Sequence, residues 1–220
     1  LTVNGESFTC PKSNRFIATY DPLNLKLAID NAFDQKMREP STSFEYIILS
    51  GYQMLSKDLP DGSSGIERIN ESIKTVNNWR KNNPDSILHF EIASTQDKTI
   101  RKYLLDKLAK EVDSIGFNER ELIDILEVIG EVNHAEQCDK DTGSRNLFRG
   151  MLKVFDYTNC PRIQLHMFGL YVTLQRKGYR ISPIQNRKGM QLAANIAATK
   201  AGTGAINSRD DLLWSANEQV

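Results

Sequence analysis

Short apolar runs and amphipathic stretches take turns along the chain, and that alternation narrows the fold more than any other feature. Phe44 to Gly51 is an apolar run closed by Ser-Gly and reads as a buried strand. Ile66 to Lys81 carries Ile66, Ile69, Ile73, Val76 and Trp79 near helical spacing, and Asn82-Asn83-Pro84-Asp85 ends it. Ile87 to Ala93 reads as a second strand, Lys98 to Lys110 as a helix, and Val112 to Phe117 as a third strand. Asn118 opens a helix to about Ile129. A polar loop follows around Asp139–Gly143, then a helix from Leu147 to Phe155 and a fourth strand from Arg162 to Met167. Pro183 to Ala201 is a long helix that opens on Ser182-Pro183-Ile184-Gln185, and Gly202-Thr203-Gly204 at its end reads as a helix C-cap in preference to a phosphate loop. Its Ala193, Ala194, Ala197, Ala198 and Ala201 imply close packing against a sheet. Strand and helix at this spacing predict βαβ units, hence an α/β fold with a mostly parallel sheet flanked by helices. Ligands in such sheets bind beyond the carboxyl ends of the strands.

Composition excludes several function classes. The 220 residues carry 28 Lys+Arg and 28 Asp+Glu, so the formal charge is zero, without the basic excess of a nucleic-acid binder. No run of about 18 apolar residues exists to span a membrane. The start, Leu1 to Glu6, reads as neither a signal nor a transit peptide. Cys10, Cys138 and Cys160 have no paired or zinc-type spacing, which favours packing roles in a reducing cytoplasm. Asn14 to Tyr20, bracketed by Pro11 and Pro22, reads as a strand, either at an edge of the main sheet or leading to a second lobe.

Few residues are placed for chemistry. His89 and Glu91 are two apart on a strand, so they share a face, near its carboxyl end. Buried bare, either would cost several kcal/mol. They are a Mg²⁺ or water-mediated metal site, or a structural hydrogen-bonded pair. Asn118 and Glu121 share a helix face and form either a capping box or a carboxylate that holds hydrated Mg²⁺ beside a phosphate. Arg15 suits phosphate recognition through its forked guanidinium, although a lone Arg is more often a surface residue. His166, Phe168 and Tyr171 follow the fourth strand and either wall an adenine or belong to the core; His134 is expected near solvent. Neither a G-x-x-x-x-G-K-[ST] loop nor a G-x-G-x-x-G after a strand is present, and no Ser-His-Asp or Cys-His arrangement supports a nucleophile.

Six stretches, taken in order, resemble the ADP-dependent sugar kinases, the archaeal-type ADP-dependent phosphofructokinases and glucokinases. They are Asn14 to Ala18, Ser50 to Gln53, His89 to Ser94, Gly116 to Leu122, Arg162 to His166 and Ala197 to Ala201. The family's H-x-E motif falls on His89 and Glu91, and its N-x-x-E motif on Asn118 and Glu121. The resemblance implies that Glu91 and Glu121, supported by His89 and Asn118, organise the Mg²⁺ of the nucleotide, and that Arg15 contacts phosphate. It places Asn118, His166, Phe168 and Tyr171 at the nucleotide. It implies a ribokinase-like fold, with residues 1–35 a partial lid or hinge segment and 36–220 the large domain. The implied reaction passes the terminal phosphoryl of ADP to a sugar and leaves AMP, in a modified glycolysis.

Met167 to Tyr171 and Thr173 to Tyr179 resemble the phosphofructokinase branch, which favours fructose 6-phosphate, with glucose next. Arg176, Lys177 and Arg180 either attract a sugar phosphate or form a solvated charge cluster. The family's G-x-G-D motif, with its catalytic base, is not found in this chain. The chain therefore resembles the central part of such a kinase and as written is expected not to be a competent catalyst. A degenerate nucleotide-binding module and an ATP-dependent ribokinase-like sugar kinase are the competing readings.

Overall fold

The computed structural model describes residues 2–3, 6–7, 26–39 and 43–212. Two short strands, β1 (Thr2–Val3) and β2 (Glu6–Ser7), pair antiparallel. Helix α1 (Asn31–Met37) is capped by Asp30, whose side chain accepts from the Phe33 amide. It is tied to the body of the fold by Trp79, which donates through Nε1 to Asp34 at 2.7 Å and meets Phe33 edge-on.

The body is a five-stranded sheet. Strands β3 (Tyr46–Leu49), β4 (Ile87–Glu91), β5 (Ser114–Phe117) and β6 (Arg162–Met167) lie side by side in chain order and run parallel. A fifth strand, β7 (Leu170–Gln175), turns back antiparallel on β6 through Phe168 and Gly169, the glycine adopting a φ of 76°. Helix α2 (Gly65–Asn82) connects β3 to β4, α3 (Lys98–Asp106) connects β4 to β5, and α4 (Glu119–Val128), α5 (Val132–Lys140) and α6 (Ser144–Thr158) lie between β5 and β6. Helix α7 (Pro183–Thr203) follows β7.

Strand order explains where the core is. Crossovers of one hand that always step to the next strand in the same direction leave all their helices on the same face. That face carries Ile47, Leu49, Leu88, Phe90, Ile115, Phe117, Ile163 and Leu165, packed with Ile69, Val76, Leu104, Leu122, Leu126, Leu147 and Val154 from the helices. The alternation of a strand sends the intervening residues to the other side. There the pairing register aligns Glu91, Gly116, Gln164 and Thr173 across four strands. This second face is polar. It is crossed by α7, whose Asn186 accepts from Arg162 and donates to Gln175, and whose Met190 accepts from Thr173.

The parallel strands and their flanking helices match the expected α/β pattern, with several differences of detail. The first of these strands is half-buried rather than buried, and among the described residues it lies at the sheet's edge: Ile47 and Leu49 are buried, whereas Ile48 is 65% exposed on the polar side. The polar stretch before Asp141 is a helix, α5, held by buried Ala135 and Cys138, and His134 lies within it, half-buried and bonded to Glu131. β7 was not expected. The alanines of α7 do not pack as predicted: Ala193, Ala197, Ala198 and Ala201 are exposed, because the helix meets the sheet through Asn186 and Met190 instead. Gly204 caps α7 with a φ of 78°, as the Gly-rich end predicts.

Candidate active site

The polar residues converge at the carboxyl ends of β4 and β5. Glu91 is the last residue of β4. His89, two residues before it on the same face, approaches Glu91 Oε2 through Nε2 at 2.9 Å. The imidazole Nδ1 is 2.9 Å from Ser114 Oγ on β5. Ser114 Oγ in turn accepts from Arg162 Nη1 on β6 at 2.7 Å. The guanidinium can only donate, so Ser114 Oγ accepts from it, and the carboxylate can only accept, so the ring presents Nε2–H to Glu91. His89 and Glu91 are thus a bonded pair, and the bond aims the carboxylate. Tyr46 on β3 flanks the imidazole, ring centroids 6.0 Å apart.

Glycine makes this approach possible. Gly116 interrupts the apolar strand β5 opposite Glu91, and a Cβ built there would lie 2.1 Å from Glu91 Oε2 and 2.9 Å from His89 Nε2.

Glu121 is the second carboxylate. Asn118 follows β5 and caps α4: its side chain accepts from the Glu121 amide at 2.9 Å, while Glu121 Oε2 accepts from the Asn118 amide at 2.8 Å. The capping box is therefore real. It also fixes a carboxylate that is only 6% exposed at the mouth of the sheet. The other oxygen, Oε1, accepts a long hydrogen bond from Ser94 at 3.4 Å. Burial pushes Glu121 up to about 7, and the neighbouring charges of Glu91 and Asp124 push the same way, against the Asn118 amide and Ser94 hydroxyl. A carboxylate that burial and a neighbouring carboxylate make costly to ionise marks a place where a cation is favoured.

The donor set fits Mg²⁺. It consists of hard carboxylate oxygens, and Mg²⁺ keeps several waters while binding through one or two carboxylates and substrate phosphates. Among the described residues no group of three His, Cys, Asp or Glu offers an all-protein cage, so the residues suit a hydrated ion rather than a structural metal.

The β6–β7 hairpin overhangs this corner. His166 Nε2 stands 3.4 Å from Glu91 Oε1, and Tyr171 is its partner across the ladder. Phe168, at the turn, is 97% exposed. The structure thus brings His89, Glu91, Asn118, Glu121 and His166 together, with Phe168 and Tyr171 on the adjoining hairpin. Arg15 lies outside the described residues. Arg176, Lys177 and Arg180 are at the far end of the sheet, because β7 runs backwards and carries its end to the start of β6. Arg176 there stacks on Phe155 and donates to its carbonyl, and Arg180 donates to the Asp85 carbonyl. They do not share a site with Glu91. Sequence reasoning missed Ser114, Gly116 and Arg162. The signals available were a glycine inside an apolar strand and an arginine opening one.

Comparison with known proteins places the chain in a family. Residues 2–218 match the family described as the ADP-specific phosphofructokinase/glucokinase conserved region. An ADP-specific phosphofructokinase of Methanosarcina acetivorans is 26% identical over 94% of this chain and 43% of its own length. An ADP-dependent glucose/glucosamine kinase of Pyrococcus furiosus is 30% identical over 97% of this chain and 45% of its own. The chain thus spans a little under half the length of these relatives. Among solved structures, the last common ancestor of ADP-dependent phosphofructokinases from Methanosarcinales superposes with a TM-score of 0.80 at 28% identity, over 88% of this chain and 40% of that one. An ADP-dependent kinase in complex with fructose-6-phosphate and ADPβS also gives 0.80, at 27% identity, over 87% of this chain and 42% of that one. With its ribokinase-like sheet and a match running almost from end to end, the chain belongs to the ADP-specific phosphofructokinase/glucokinase family.

Proposed function

We propose that the protein carrying this sequence transfers the terminal phosphoryl group of ADP to a sugar with Mg²⁺, releasing AMP, and that fructose 6-phosphate is preferred to glucose. The observation that carries the reading is the meeting of Glu91 and Glu121 at the carboxyl ends of β4 and β5, each aimed by its own partner. The sugar preference is supported by the neighbour that holds fructose-6-phosphate and an ADP analogue.

When bound, Mg²⁺ neutralises charge on the nucleotide phosphates. The chain's own residues do the positioning. His89 holds Glu91 towards the mouth, and the first turn of α4 holds Glu121 there. The hairpin offers an adenine the exposed ring of Phe168, with His166 and Tyr171 beside it. Arg15 contacts phosphate in this proposal. So does the division into a lid segment, residues 1–35, and a large domain, 36–220, belong to it; α1 runs across that boundary. Closure of the lid excludes water, which competes with the sugar as acceptor. A cytoplasmic setting accords with the free, buried thiols of Cys138 and Cys160.

The test is a coupled assay on the full-length protein, with ADP or ATP as donor and fructose 6-phosphate or glucose as acceptor. Turnover with ADP and release of AMP is expected. Glu91→Gln and Glu121→Gln should each weaken the Mg²⁺ dependence. Unchanged Mg²⁺-dependent turnover in both removes the metal assignment, and turnover with ATP alone removes the ADP reading.

A further inference from the structure

We propose that Arg101 is a positioning residue for the candidate site: from the buried face of α3 it fastens the loop that follows β4 to helix α4, and so keeps Ser94 against Glu121. Arg101 is 6% exposed, on the face of α3 that also buries Ile100, Leu104 and Leu105. Its guanidinium reaches two separate segments. Nη2 donates to the carbonyl of Thr95, in the loop that begins after Glu91, and to Asp124 Oδ2 at 3.3 Å. Nη1 donates to the Asp124 carbonyl, also at 3.3 Å, in the helix that carries Glu121. One side chain thus ties together the two segments that hold the two carboxylates of the site. Packing alone does not call for it, because apolar side chains of similar size in place of a buried ion pair are often neutral or stabilising.

The loop's own hydrogen bonds are internal. The Thr95 amide and hydroxyl both donate to the Ala93 carbonyl, and Gln96 Nε2 donates to the Ser94 carbonyl. These bonds shape the loop without joining it to α4. Arg101 makes that join beside Ser94. Thr95 is buried and Ser94 is exposed, so the held carbonyl points inward while the serine faces the mouth of the sheet. There Ser94 Oγ donates to Glu121 Oε1 at 3.4 Å, and the Asn118 amide holds the other oxygen. Without the guanidinium the Thr95 carbonyl loses this donor, the loop drifts from α4, and Ser94 leaves Oε1. Asp124 is not stranded by the change, since it also accepts from Arg120 at 2.8 Å. The loss therefore falls on the loop and on the aim of Glu121.

The inference rests on the metal role proposed for Glu121, and the test separates the two. It uses the full-length protein and two readouts independent of turnover. The first is hydrogen–deuterium exchange of the metal-free protein over residues 92–97. Arg101→Met is expected to raise it and to leave exchange in β4 and β5 unchanged. The second is direct Mn²⁺ binding by electron paramagnetic resonance. Arg101→Met and Ser94→Ala are each expected to weaken affinity about 10-fold, and the double variant no more than either alone, because Arg101 acts through Ser94. Arg101→Lys, with one ammonium in place of a fork, is expected to recover part of both readouts. If Arg101→Met does not fold, Arg101→Lys takes its place in the cycle. An unchanged loop or an unchanged Mn²⁺ affinity in the folded variant overturns the assignment, and so do losses that add in the double variant. If Glu121→Gln binds Mn²⁺ as well as the parent, the metal role fails, and loop exchange alone decides the clamp.

Discussion

Gly116 faces Glu91 across the β4–β5 pair with no room for another carbon: a Cβ on it would lie 2.1 Å from Glu91 Oε2. The atoms it would meet are the far ends of side chains, and Glu91 is partly open to solvent. Gly116→Ala should therefore displace the carboxylate while sparing the sheet. The expected stability loss is within the ~1–3 kcal/mol typical of overpacking, with a clear loss of Mn²⁺ affinity. Denaturant titration and metal titration on the same variant check this. A variant that keeps its affinity would show that Glu91 need not be where the sheet puts it.

Asn118 separates the structural and chemical roles of the α4 start. Asn118→Ala removes the acceptor for the Glu121 amide and should cost about 1 kcal/mol. Asn118→Ser keeps a capping oxygen and should recover most of that stability. Comparing their unfolding midpoints isolates the cap. If both variants are equally destabilised, the cap is not what holds this turn.

Acid should unfold the protein partly through three aspartates. In Asp97 burial raises the pKa, but the amides of Lys57, Ile100 and Thr99 outweigh it and leave the carboxyl below its ordinary value. In Asp106 burial is likewise outweighed by Lys102 and Tyr157. Asp34 is lowered chiefly by its hydrogen bond from Arg38, against burial and with help from Trp79. A lowered folded pKa contributes stability above the unfolded value of about 3.9 and loses it as pH falls through the folded one. Asp97→Asn keeps the one oxygen that caps Thr99 and Ile100, without the charge and without the acceptor for the Lys57 amide, so its stability should fall less steeply below about pH 4. Urea midpoints across that range test it; parallel curves for parent and variant would contradict it.

The two described cysteines should be chemically silent in the folded protein. Burial pushes the Cys160 thiol up to about 12 and raises Cys138 as well. Alkylation at pH 8 followed by peptide mapping should find both unmodified until denaturant is added. Modification of either in the native state would mean that the core opens at that place.

Much of this was legible in the residues. The strand from Arg162 to Met167 has the bounds its apolar alternation predicts, and α2 departs from expectation by one residue at each end. His89 with Glu91, and Asn118 with Glu121, could be paired from spacing alone, because period two and the helical turn are local rules. The contacts of Ser114 with His89 and Arg162 could not, since they depend on which strands are neighbours and in what register. β7 was obscured for a related reason. Its Val172 and Leu174 pack towards the core, but Tyr171, Thr173 and Gln175 face the polar side, and such alternation after a strand does not announce a hairpin partner. The alanines of α7 misled because small residues permit close packing without requiring it.

The chain order of the strands has a consequence for how the protein is made. From β4 to β7, every strand pairs with the one synthesised just before it. Each therefore emerges to find its partner already present, at the loop-closure cost of a single crossover or, for β7, of a two-residue turn. Among these five described strands none has to be inserted between two that have already joined, and they assemble by addition at one edge.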